Sequence, residues 1–72
     1  MFQIEKFSAR LRELRTEKGE SQQTVANLLG VGPTQVSDME RGRSATTCER
    51  LVMLCEHYKV SSDYLLGLKD ER

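Results

Sequence analysis

A chain of 72 residues with a 38% apolar complement makes one small domain, spanning residues 1–72, and such a chain buries only about 60% of the surface it exposes when unfolded. No apolar run approaches the ~20 residues that span a bilayer, and Met1–Lys6 lacks the basic-then-apolar order of a secretion signal, so a cytoplasmic protein is expected. Eleven Lys and Arg balance eleven Asp and Glu, which argues against a protein that coats nucleic acid but leaves room for a local basic face.

In chain order, Phe7, Leu11 and Leu14 form an i, i+4, i+7 stripe with Ile4 one turn earlier, so residues 4–18 read as a first helix closed by Gly19. Ser21 is a good N-cap for a second, Gln22–Leu29, whose inner face carries Val25, Ala26 and Leu29 before Gly30 stops it. Pro33 fits a first helical position, where a missing N–H costs nothing, and it favours an extended Gly32 as N-cap. The third helix then runs Pro33–Arg41 to Gly42. Thr46 and Glu49 have the spacing of a capping box for a fourth helix ending near Tyr58, with Leu51, Leu54, Cys55 and Tyr58 on one face. Ser61 caps a short fifth, Ser62–Leu66, ended by Gly67, and the tail 68–72 reads as frayed. Nothing alternates like a strand. The fold class is all-α, five short helices.

Two short helices joined by a tight glycine-containing turn are a helix-turn-helix, here residues 21–42. Ala26 is small, as close approach of the two helices requires. At about 100° per residue, a third helix with Val36 inward has Met39 and Glu40 within about 60° of it. Thr34, Asp38 and Arg41 then fall within ~40° of the opposite direction, with Gln35 and Ser37 on the flanks. That outer face is polar and short-chained, suited to a major groove about 12 Å wide.

On these residues the chain resembles the lambda-repressor-like, Cro/CI-type (XRE-like) helix-turn-helix regulators. The resemblance covers residues 7–67 through Leu11, Leu14 and Arg15; Gln22, Val25 and Ala26; Leu29-Gly30-Val31; Val36-Ser37; Glu40-Arg41-Gly42; Leu51 and Leu54; Val60-Ser61; and Leu65. It implies a bacterial or phage transcriptional regulator, commonly a repressor, that binds double-stranded operator DNA as a homodimer. It implies base reading by Pro33, Thr34, Gln35, Ser37 and Asp38. Phosphate contact falls to Gln22 and to Arg43 and Ser44 in the loop after the third helix; Arg41, beside that loop, is expected to join them. Arg15 and Glu40 take positions that form an inward-facing ion pair. The chain departs from the family's habit at Pro33, at Asp38, at Glu20 (usually apolar) and at Thr46 (often proline).

Arg10, Arg12 and Lys18 on the first helix form either a DNA-facing rim or a merely solvated face. Tyr64, Leu65, Leu66 and Leu68 offer more apolar area than so short a helix can bury, which makes them the candidate dimer surface. If Cys48 and Cys55 share one helix they lie about 10.5 Å apart, beyond the ~7 Å of a disulfide, and both are expected to be reduced. With His57 they do not converge as metal ligands do, so neither metal nor other cofactor is expected. No nucleophile–base set or phosphate loop marks an enzyme. The competing class is a helix-turn-helix fold used chiefly to bind a partner protein, for which the neutral charge, Pro33 and Asp38 speak.

Overall fold

A computed structural model describes all 72 residues, as five helices in the order α1 (Ile4–Glu17), α2 (Gln22–Leu29), α3 (Pro33–Glu40), α4 (Cys48–Tyr58) and α5 (Ser62–Leu65). Lys18, Arg41 and Leu66 are caps just outside α1, α3 and α5, so three expected boundaries move by one residue. No helix is long and apolar enough to cross a membrane. One core draws on all five helices. Phe7, Leu11, Val25, Val36, Met39, Leu54 and Leu65 are its fully buried large side chains, each contributing about 1.5–3 kcal/mol of apolar burial. The polar group buried with them, Ser8, donates its hydroxyl to the Ile4 carbonyl at 2.8 Å.

Local chemistry explains the joints. Ser21 Oγ accepts from Thr24 N and starts α2. Gly30 ends it in the left-handed region at φ 71°, which lets Val31 N reach back to the Ala26 carbonyl at 3.0 Å and turns the chain toward α3. Gly32 is extended before Pro33, as the proline demands.

The start of α4 differs from the expectation. Thr47, not Thr46, is the N-cap, its hydroxyl accepting from Arg50 N at 3.2 Å. The helix therefore begins one residue later, and Glu49 cannot close a capping box with Thr46. The Thr46 hydroxyl is instead buried with no hydrogen-bond partner. Cys48 and Cys55 are both free thiols, and burial pushes the Cys55 thiol pKa up.

The fifth helix and the tail bring two corrections. Tyr64 and Leu65 are core residues, 6% and 0% exposed, and are therefore unavailable to a dimer partner; Leu66 is half-buried and Leu68 is 67% exposed. The tail forms no helix, yet it is fastened rather than frayed. Ser61 N donates to the Arg72 carbonyl at 2.9 Å, and the Arg72 guanidinium reaches Glu17 at 2.6 Å and Glu13 at 2.8 Å. Arg10 donates to the Tyr64 and Lys69 carbonyls and to Asp70. Arg10 and Arg72 both lie over the Tyr64 ring, 4.3 and 5.5 Å from its centre, and the Tyr64 hydroxyl donates to Glu13 at 3.0 Å. Gly67, at φ 83°, makes the bend that permits this, and a Cβ there would stand 2.9 Å from the Lys6 Cβ.

Candidate nucleic-acid interface

The orientation of α3 follows from what it buries. Val36 and Met39 are wholly inside, and Glu40 turns inward beside them with its side chain 4% exposed. What remains outside is Pro33, Thr34 and Gln35, all exposed, with Ser37 and Asp38 half-buried on the flanks. These are the five residues expected to read bases, and they share one end and one side of a helix that cannot rotate without unburying its core face.

Glu40 is the junction under that helix. Arg15 grips it with two hydrogen bonds, Nε to Oε2 at 2.6 Å and a terminal nitrogen to Oε1 at 3.0 Å. The Gln22 amide donates to Oε1 at 3.1 Å. Arg15 also donates to the Glu20 carbonyl at 2.8 Å, so one guanidinium ties α1 to α3 and to the turn before α2. The hydrogen bond to Glu40 raises the Arg15 pKa against the opposing effect of burial. With both oxygens of Glu40 occupied, Gln22 is held at the head of α2 and α3 is fixed against α1. The charge-assisted, two-pronged form of the bond makes the angle between the helices specific as well as strong.

Glu20, an unusual residue at its place, has a role that sequence reasoning missed. Its carboxylate accepts from the Tyr58 hydroxyl at 2.7 Å and stands 2.6 Å from His57 Nε2, locking the α1–α2 turn to the end of α4. Partial burial opposes ionisation, but the hydrogen bonds from Tyr58 and His57 outweigh it and hold the Glu20 carboxyl below its ordinary range. Burial, and then the bond to Glu20, push the Tyr58 hydroxyl well above its ordinary range. The departure from an apolar residue could be read from the sequence, but its partners lie 37 and 38 residues away and left no local sign.

The basic side chains separate into two groups. Arg10 serves the tail, and Lys18 donates to the His57 carbonyl at 3.2 Å, so neither is a free rim to a DNA surface. Arg12 and Arg41 are exposed and make no ion pair. Arg43 lies 3.9 Å from Asp38 with both side chains open to water, a pair worth little, and Ser44 follows half-buried in the loop. The surface beside α3 thus carries cations without partners, next to short polar side chains.

Comparison with known proteins agrees with this geometry. A family profile described as helix-turn-helix matches residues 11–65. The transcriptional regulator ImmR of Bacillus subtilis is 40% identical over 62 residues, which are 86% of this chain and 48% of that protein. Among solved structures, the restriction-modification controller protein C.AhdI of Aeromonas hydrophila superposes with a TM-score of 0.75 at 37% identity, covering 86% of this chain and 94% of that one. The P22 c2 repressor, solved with a synthetic operator, superposes with a TM-score of 0.80 at 27% identity over 88% of this chain and 96% of its own. The chain spans about half the length of the curated relatives it matches, from 48% to 58%. By the profile, the identities and the fold, this chain belongs to the XRE-like, Cro/CI-type helix-turn-helix family.

Proposed function

We propose that the protein is a sequence-specific, operator-binding transcriptional regulator, of the repressor kind, that works as a homodimer and lays α3 in the DNA major groove. The observation that carries this is the fixed exposure of Pro33, Thr34 and Gln35 at the head of α3, on a helix whose other side is sealed into the core. Gln35 matches the donor–acceptor pair of adenine, Asp38 the amino group of cytosine, and the ring of Pro33 a thymine methyl. Gln22, Arg41, Arg43 and Ser44 are assigned to phosphates, which set the register of the helix without reading sequence. The printed roles of the relatives, a transcriptional regulator, a controller and a repressor solved with an operator, support the same reading. Such work belongs in the cytoplasm, on the nucleoid while the protein is DNA-bound.

In a homodimer the half-sites lie about one helical turn, 34–36 Å, apart. With Tyr64 and Leu65 withdrawn into the core, Leu66 and Leu68 remain as the apolar candidates for the contact between copies. Selection from a randomised duplex library at two salt concentrations tests the whole reading. A recovered palindrome with log-linear salt dependence is expected, and the variant Thr34→Ala with Gln35→Ala should lose discrimination among sites while staying folded. No enrichment at either salt would overturn the proposal and leave the protein-binding use of this fold.

A further inference from the structure

Zero net charge is a poor description of a surface on which seven of the eleven acids lie within ion-pair distance of a cation and the rest, Glu5, Glu49, Glu56 and Glu71, do not. Glu13 and Glu17 hold Arg72, Asp70 holds Arg10, Asp63 lies near Lys69, Glu20 holds His57 and Glu40 holds Arg15. Arg12 and Arg41 are left without any such partner, and they face the same place. Together with Arg15, Gln22, Ser37 and Glu40 they line a concavity of about 220 Å³ that contains no apolar side chain. Its walls come from three helices, with Arg41 at the end of the third.

The carboxylate in this concavity is already neutralised. Glu40 accepts two hydrogen bonds from Arg15 and one from Gln22. The charges of Arg12 and Arg41 are therefore uncompensated, and an anion entering between them meets a positive field. Gln22 contributes one N–H to Glu40 and has a second to give; the Ser37 hydroxyl is a further donor. Guanidinium groups match the planar oxygen pairs of a phosphate. A larger hollow of about 620 Å³ adjoins it and shares Arg12 and Arg41, but Glu5 and Glu13 line that one and would repel an anion.

Resting on the operator-binding reading above, we infer that the smaller concavity seats one backbone phosphate of the DNA, with Arg12 on α1 as a phosphate-binding residue outside the helix-turn-helix. The seat lies at the joint of α1, α2 and α3, so the phosphate it holds sets how α3 meets the groove. Arg12, with no hydrogen bond from its side chain inside the protein, is replaceable without disturbing the fold.

The test is binding to a duplex of random sequence, followed by fluorescence anisotropy over a series of salt concentrations. Such binding depends on phosphate contacts alone. Arg12→Ala should flatten the slope of log K against log salt by about one unit, with sequence preference and melting temperature unchanged. Arg12→Lys should keep most of the slope. Lys59→Asn removes the same charge from a different hollow, shared with Glu17 and Arg72, and should leave the slope alone. Wild-type binding with an unaltered Arg12→Ala slope would overturn the phosphate seat by itself, as would an equal loss in Lys59→Asn. A wild-type protein that binds no duplex at any salt would overturn the seat and the operator reading together.

Discussion

Arg10 and Arg12 stand two residues apart on α1 and have opposite fates. On the side toward the tail, Arg10 is wrapped by two carbonyls, Asp70 and the face of Tyr64, and the neighbouring Arg72 is wrapped by Glu13 and Glu17. On the side toward α3, Arg12 touches no carboxylate, and Arg41 beside it touches none either. One region uses charge to hold the molecule together and the other keeps charge available. The difference teaches that a formal charge of zero describes neither. What counts is whether folding brings each cation an acid.

The comparison can be broken most violently at Glu40, on the side toward α3, where its carboxylate holds Arg15 and Gln22. Glu40→Ala leaves the Arg15 guanidinium nearly buried and short of its partner, and a loss of about 3–5 kcal/mol is expected, read as a fall in the urea midpoint. An unmoved midpoint would show that the pair does not tie α1 to α3. Next comes the core beneath the clasp. Leu65→Ala should cost about 3 kcal/mol, within the range for a buried leucine, whereas Leu68→Ala should leave the midpoint of the monomer alone and act, if anywhere, on sedimentation. Equal effects of the two would return Leu65 to the surface.

A smaller effect of opposite sign is expected at Thr46. Its hydroxyl is buried without a partner, so Thr46→Val should raise stability by about 1 kcal/mol; a loss would mean that the hydroxyl has a bound water to satisfy it. The smallest change belongs to Arg72→Ala, since Arg72, Glu13 and Glu17 are all open to water and their pairing is screened by salt. A lowered Tm at low salt, vanishing at high salt, is expected. The clasp also has a pH signature. Hydrogen bonds from Arg72 hold the Glu17 carboxyl below its ordinary 4.5, so its contribution is present above that pH and is lost as the pH falls below it. In Arg72→Ala that acid-side decline should shrink, and an identical pH profile would count against the clasp.

The helix-turn-helix was legible because its signals are local. Ser21, Gly30 and Pro33 each act within a few residues, and the spacing of Val36 and Met39 fixed which side of α3 faces out. The start of α4 was harder, since two adjacent threonines competed and the better-looking spacing, Thr46 with Glu49, lost to Thr47. A helix of four residues is too short for a face to show, which is why Tyr64 and Leu65 read as surplus apolar surface when they are core. The side-chain bonds between the tail clasp and α1 join residues 51 to 60 positions apart, and the bonds of Glu20 cross 37 and 38; no window of sequence contains either.

Gly67 and Gly32 set different limits on how this protein can drift. At 67 any side chain would drive its Cβ into Lys6 while forcing a left-handed backbone, so the bend before the tail is closed to mutation. At 32, immediately before α3, a Cβ meets nothing within 4 Å and the backbone is ordinary. A serine or aspartate there would even supply the side-chain cap that α3 lacks. On the proposed reading, variation in what the protein recognises therefore has an open door at the head of α3, while the hinge that fastens the tail can change only by being lost.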